Sequence, residues 1–267
     1  MTRSKSHLSI QSFYDSVARK WARDGPELRD DFIGRPVVVR LARALARNGT
    51  VLDCGCGDGN VARLVSPFAR RVIGIDTSSN MLDEAAKRSL HFENIAFRRG
   101  RLERLPEIVT PQSVDLCLAL FSLCCVGSLE RLRRVFLNIS AVLKPGKYAI
   151  VQIPHPFDSY LKKPSLWYRD LDAGGAYFDG GVRVRRKLRT ARGDWLLVAR
   201  YHFPLSDYFE AITSARLIVL RLLEPRASSQ AVRHHPTLRR EAQFPSSMIF
   251  VCQRPARMRH TGSSQRK

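Results

Sequence analysis

From residue 50 to residue 153 short apolar runs, at 51–54, 71–75, 95–98, 114–121 and 148–153, alternate with helical periodicity at 60–68, 79–89 and 129–143. Apolar runs of this length read as strands buried on both faces, and strand and helix in turn require right-handed crossovers between parallel strands. Past residue 205 a helical pattern at 206–215 and two more strands, at 218–223 and 248–253, complete the series. The expected fold class is α/β: a doubly wound, mostly parallel, seven-stranded sheet of Rossmann-like type with helices on both faces. A chain of 267 residues is long enough for one such domain with decorations.

The decorations lie at the ends and after the fifth strand. Phe13, Tyr14, Val17, Ala18 and Trp21 are spaced as one face of an amphipathic helix over 12–24, and Val38, Val39, Leu41, Ala42 and Leu45 as the face of a second over 36–46. Between 154 and 205 the alternation stops in a segment rich in aromatic residues, Gly and Pro. Two strand patterns there, 182–188 and 195–202, flank a turn signal at 191–194 and predict a β-hairpin. The division that follows is an N-terminal helical region at 1–35, a main domain at 36–255 with an aromatic-rich insert at 154–205, and a basic tail at 256–267. That tail has no core-forming pattern and is expected to be disordered.

Net charge is +21, with basic clusters at 131–134, 183–189, 233–240 and 254–267. An arginine bias spread along the chain accounts for it, and so does a diffuse face for a nucleic acid, which stays as the second reading. None of the six cysteines has a CxxC partner or a histidine at zinc-site spacing, so they read as buried structural thiols and no metal is expected. The N-terminal residues lack a signal-peptide pattern, and no apolar run reaches the length of a membrane span. A cytoplasmic protein with no membrane partner is the expectation.

The sequence Val51-Leu52-Asp53-Cys54-Gly55-Cys56-Gly57-Asp58-Gly59-Asn60 ends the first strand and opens a helix. Glycines at 55, 57 and 59 admit a tight turn with positive φ and leave no Cβ in the way of a ligand lying across the strand end. The second strand ends in Gly74-Ile75-Asp76, about twenty residues on, where a carboxylate can accept both hydroxyls of a ribose. The alternative role for Asp76 is to cap the helix that starts near Ser79.

These motifs, with Ser79-Asn80-Met81-Leu82, Val114-Asp115-Leu116-Cys117 and Leu143-Lys144-Pro145-Gly146 in the same order, resemble the class I S-adenosylmethionine-dependent methyltransferases. The resemblance is to the small-molecule branch of the ubiquinone and menaquinone biosynthesis type (type 11), and covers about residues 36–153. The glycine order G-x-G-x-G separates it from the dehydrogenase pattern G-x-G-x-x-G. It implies S-adenosylmethionine as cofactor. It also implies that Asp53, Gly55, Cys56 and Gly57 hold the methionine part and Asp76 the ribose. Thr77, Met81, Arg101, Leu102 and Leu120 would line the rest of the cofactor site. Two positions depart from the family: Arg101 stands where an acid commonly meets the adenine amino group, with Glu103 as a substitute nearby, and Lys147 stands where a second glycine commonly follows Pro145-Gly146.

Methyl transfer from an activated sulfonium asks for positioning, desolvation and removal of a proton where the acceptor must lose one. His155, between Pro154 and Pro156 just after the fifth strand, is the candidate base, with a packed or exposed loop histidine as the alternative. Tyr14, Phe157, Trp167, Tyr168, Tyr177 and His202 are the candidates for the wall of the acceptor pocket. The first reading is therefore a methyltransferase for a small, aromatic or otherwise planar metabolite. An RNA methyltransferase of the same fold and a non-catalytic, degenerate partner subunit are the alternatives.

Overall fold

The computed structural model describes residues 9–159, 168–170, 176–189 and 193–256. Its strands are β1 (Thr50–Cys54), β2 (Arg71–Asp76), β3 (Ile95–Arg99), β4 (Val114–Leu120), β5 (Leu143–Pro154), β6 (Tyr168–Asp170), β7 (Val182–Arg189), β8 (Trp195–His202), β9 (Ile218–Leu223) and β10 (Ser247–Gln253). Its helices are α1 (Ile10–Trp21), α2 (Gly34–Leu45), α3 (Asn60–Val65), α4 (Ser79–Arg88), the single turn α5 (Leu105–Ile108), α6 (Leu129–Val142), α7 (Leu205–Ser214) and α8 (Ser229–His234).

Seven strands form one sheet in the order β3-β2-β1-β4-β5-β10-β9, as the alternation predicts. β1 to β5 run parallel, and β10 runs antiparallel to both β5 and β9. Val51 pairs with Val72 on one side and Leu116 on the other, so the chain order reverses between β1 and β4. Open α/β sheets place their ligands at the carboxyl ends of the strands beside such a reversal.

The side-chain period of two divides the core. Leu52, Ile73, Cys117, Ala119 and Val151 pack on one face against Leu132, Phe136 and Ile139 of α6 and Ala211 and Ile212 of α7. Val51, Val72, Leu116, Leu118 and Ile150 pack on the other against Val38 and Ala42 of α2 and Val61 and Val65 of α3. Every residue of β1 and β4 is buried, which is why those strands carry continuous apolar runs instead of alternation.

Four details differ from the sequence expectation. α1 ends at Trp21 instead of 24, because the Arg23 N–H turns to the Asp58 carboxylate at 3.0 Å. β5 begins at Leu143, which pairs with Val114 ahead of a register shift that absorbs the turn at Gly146. That turn has its positive φ at Gly146, and Lys147 instead reaches Asp115 at 3.3 Å, beside Lys144 at 2.8 Å. The hairpin of β7 and β8 gains a third strand, β6, and the basic stretch before β10 contains α8, capped by Ser228. α8 buries no residue, so no apolar period marks it in the sequence.

Candidate active site

The turn after β1 is closed by its neighbour. The N–H groups of Gly55 and Cys56 both donate to the Ile75 carbonyl of β2, at 2.7 and 3.0 Å. Gly55 has φ +76°, and a Cβ on it would lie 2.3 Å from the Ser122 Cβ, so side chains are excluded on both counts. Asp76 then binds the turn itself: its carboxylate accepts from Gly57 N–H and Ser78 N–H, each at 2.9 Å. Burial raises the Asp76 carboxyl above its ordinary range, against the pull of those N–H groups. The cap of α4 is Ser78, whose Oγ accepts from Met81 N–H at 3.1 Å, so Asp76 is not the capping residue.

One cavity of about 410 Å³ opens at these strand ends. Asp53, Gly55, Cys56, Gly57, Asp76, Thr77, Met81, Arg101, Leu102 and Leu120 all line it, so the structure brings every cofactor candidate together. Arg101 does so at the position where an acid is common. Glu103 lines the cavity as well, and its carboxylate is taken by Arg131. α1 lies over the opening: Asp15 accepts from Ser78 Oγ at 2.5 Å, and Tyr14 meets Trp21 edge to face at 5.7 Å.

The acceptor candidates divide. Tyr14 lines the cavity, with its hydroxyl kept protonated by burial. Phe157, Tyr177 and His202 do not; they form a separate stack at the open end of the hairpin, Phe157 on Tyr177 at 4.2 Å and Tyr177 against His202 at 5.6 Å. The His202 Nε2–H donates to the Tyr177 carbonyl at 2.7 Å, and burial lowers the pKa of the ring. These three positions lie outside the wall of this cavity and pack against one another at the base of the hairpin. Trp167 lies outside the described residues, and Tyr168 is described only as the first residue of β6.

His155 is also away from the cavity wall. Its Nδ1 accepts from Phe157 N–H at 3.2 Å and its Nε2 meets Glu224 Oε1 at 2.9 Å, while the neighbouring Pro154 is the residue of this turn that reaches the cavity. Pro154 and Pro156 do fix the loop, but they fix it with the ring turned toward β9's end.

Residues with no motif to mark them in the sequence complete the walls. Leu188, Val198 and Arg200 come from the inner face of the hairpin with Arg186, whose guanidinium is held by the buried Asp158 at 2.8 Å. Cys124 and Cys125 line the cavity instead of filling a strand, in contrast to Cys54 and Cys117, whose sulfurs meet at 3.4 Å between β1 and β4. Asp30 and Asp31 arrive from the segment ahead of α2, which has no periodicity to mark it, and Arg35 from the first turn of α2; the signal in the sequence is the acidic pair Asp30-Asp31 in an otherwise arginine-rich stretch.

Two buried groups fit a cationic, nucleoside-bearing ligand with an amino-acid end. Asp53 is 1% exposed, its Oδ2 has no hydrogen-bond partner among the described residues, and burial pushes its carboxyl up to about 7. Arg35, which also lines the cavity, has a buried Nε with no partner among the described residues. An ammonium and a carboxylate on one ligand would satisfy both.

Comparison with known proteins agrees with this geometry. Residues 51–146 match a family described as a methyltransferase domain. The chain is 27% identical over 203 residues to N-demethylindolmycin N-methyltransferase of Streptomyces griseus, covering 74% of this chain and 83% of that protein. It is 33% identical over 155 residues to demethylmenaquinone methyltransferase of Tropheryma whipplei (strain Twist), covering 57% of this chain and 62% of that protein, less than two thirds of its length. Its fold is similar to that of the CcbJ methyltransferase from Streptomyces caelestis, with a TM-score of 0.65 at 18% identity over 93% of this chain and 99% of that one. Residues 51–146 thus carry a methyltransferase domain, the chain has the fold of S-adenosylmethionine-dependent methyltransferases and is similar to small-molecule members among them, and S-adenosylmethionine is its cofactor.

Proposed function

We propose that the acceptor is a small, aromatic or otherwise planar metabolite, methylated in the cavity at the carboxyl ends of β1 and β4. The observation that carries this reading is the continuity of that cavity: it runs from the glycine turn to the hairpin, with Tyr14 of α1 and Leu188 and Val198 of the hairpin's inner face providing a largely apolar wall. The two relatives described above are named for N-demethylindolmycin and demethylmenaquinone as acceptors.

When bound, S-adenosylmethionine supplies a methyl group already activated on a sulfonium. The work of the chain's own residues is then to bind, orient and exclude water. Asp76 accepts from the ribose hydroxyls while holding the turn through Gly57. Asp53 and Arg35 take the ammonium and the carboxylate of the methionine part, and Thr77, Met81, Arg101, Leu102 and Leu120 bound the adenosine. Residues 1–35 act as a lid, since α1 contributes Tyr14 and Trp21 and the following segment contributes Asp30. Residues 154–205 act as the acceptor cover, with the sheet of β6, β7 and β8 among its described parts.

A second reading, a nucleic-acid acceptor, is favoured by one observation on the hairpin. By the strand's period of two, Arg183, Arg185, Lys187 and Arg189 share one face of β7, while Arg186 lies on the other, buried on Asp158. The test is incubation with methyl-labelled S-adenosylmethionine and a fractionated small-molecule extract. Label is expected in a compound with aromatic ultraviolet absorbance; label only in RNA or protein overturns the reading.

A further inference from the structure

We propose that Asp30 is a catalytic residue: the carboxylate that binds the reacting N–H or O–H of the methyl acceptor and takes its proton. The inference rests on the reading of this cavity as the site of methyl transfer.

Asp30 lies in the turn Arg29–Phe32 ahead of α2 and lines the cavity. It is held from one side. Gln152 Nε2, at the end of β5, donates to Oδ1 at 2.8 Å, and Ser247 Oγ, at the start of β10, donates to the same oxygen at 3.3 Å. Gln152 Nε2 also donates to Ser247 Oγ at 3.1 Å, so the three side chains fix one another. The other oxygen, Oδ2, is buried and has no hydrogen-bond partner among the described residues; the same holds for Gln152 Oε1 beside it. An orphaned carboxylate oxygen on a residue that lines a cavity calls for a ligand that brings a hydrogen-bond donor.

The backbone makes room for this arrangement. A Cβ on Gly34 would lie 2.0 Å from Gln152 Nε2 and 2.5 Å from Asp30 Oδ1, so glycine at 34 is what lets α2 approach the Asp30–Gln152 pair. The site is also placed for the chemistry. Gln152 is the residue whose carbonyl accepts from Phe121 N–H at 2.8 Å, next to Leu120 at the end of β4, so Asp30 stands over β5, on the side of β4 away from Asp53 and Asp76. Burial pushes the Asp30 carboxyl up to about 6, opposed by Arg35 and Arg29 and reinforced by Asp31, while Gln152 and Ser247 facing it are neutral. Such a group is ionised at neutral pH and more basic than an ordinary aspartate, as a general base requires.

The step balances. The acceptor's N–H or O–H bond breaks, its proton goes to Oδ2, and its electron pair stays on the acceptor atom, which bonds the methyl carbon as the carbon–sulfur pair remains on sulfur. Asp30 ends as the neutral acid and returns the proton to solvent.

The test uses the full chain and Asp30→Asn, whose Oδ1 can still accept from Gln152. Calorimetry with S-adenosylhomocysteine comes first: no binding by the unaltered protein defeats the methyltransferase reading of the cavity, whatever Asp30 does. With binding established, Asp30→Asn is expected to keep that affinity within about twofold, and a tenfold loss would assign Asp30 to the cofactor and overturn the proposal. Turnover with labelled S-adenosylmethionine is then measured on a panel of small phenols, amines and carboxylic acids. For every member the unaltered protein methylates, Asp30→Asn is expected to be slower by about 10² to 10⁴; equal turnover overturns the proposal. Carbon-13 NMR of aspartate-labelled protein saturated with S-adenosylhomocysteine needs neither the panel nor a folded variant of high activity. A carboxyl signal missing in Asp30→Asn should titrate at about 6, and a midpoint in the ordinary range near 4 overturns the assignment.

Discussion

The Asp76 carboxylate accepts from Gly57 N–H at 2.9 Å, tying the end of β2 to the glycine turn that leaves β1. The same side chain thus fixes the floor of the cavity and offers its remaining lone pairs to the ligand. Asp76→Ala should remove the charged acceptor for the ribose at a cost of about 1.5 to 3 kcal/mol in cofactor binding, a loss on the order of 10- to 150-fold. Calorimetry with S-adenosylmethionine and its demethylated product measures it. Unchanged affinity would detach Asp76 from the ligand and leave it a purely structural clasp of the turn.

The sheet and its ligand edge were legible because their signals are local. Each strand is a short apolar run, and the Gly55-Cys56-Gly57 turn and Asp76 mark two strand ends that parallel pairing brings together. The acceptor side was not legible for the opposite reason. Asp30 meets Gln152 and Ser247 across 122 and 217 residues of chain, a relation that no periodicity records. Phe157, Tyr177 and His202 show the converse: aromatic residues of an insert suit a pocket wall by type, yet these rings contact one another at the hairpin base, off the cavity wall.

Asp53 should give the stability of the ligand-free protein a distinctive pH dependence. Burial raises its carboxyl from an ordinary 3.8 to about 7, so between those values the folded state binds more protons than the unfolded chain. Its contribution is therefore present in full below about 4 and is lost as pH rises through about 7. Asp53→Asn should flatten the fall in melting temperature across that window and stabilise the protein at pH 7.5 by on the order of 2 to 4 kcal/mol. A cationic ligand beside Asp53 favours the carboxylate, so binding of S-adenosylmethionine near pH 7 should release protons. Calorimetry in buffers of different ionisation enthalpy reads that release, which should shrink sharply in Asp53→Asn.

The net charge of +21 should contribute little to the reaction. With Arg186 buried on Asp158 and the exposed Arg131 paired with Glu103, part of the basic surplus around the cavity is committed to pairs within the chain. Methyl transfer to a small acceptor should vary little between about 50 and 200 mM salt, a range over which a protein with several phosphate contacts loses orders of magnitude in affinity. A steep salt slope for RNA binding, together with methyl incorporation into RNA, would move the assignment to a nucleic-acid substrate.

His155→Ala should leave the chemistry intact. Both ring nitrogens are engaged away from the cavity, Nδ1 as acceptor for Phe157 N–H and Nε2 with Glu224 on the stretch following β9. The ring therefore holds the loop after β5, and its backbone N–H adds a bond to the Ser246 carbonyl at 3.0 Å that the alanine variant keeps. Losing the side-chain bonds should cost about 1 kcal/mol of stability, seen as a small drop in melting temperature. Turnover and its pH profile should stay within about twofold of the unaltered protein, whereas a general base would be worth about 10² to 10⁴ in rate. The comparison with Asp30→Asn makes the outcome decisive, because both residues belong to the same end of β5 and only one lines the cavity. If the histidine variant loses the rate and the aspartate variant keeps it, the acceptor enters from the β9 side of the sheet, and the base is His155.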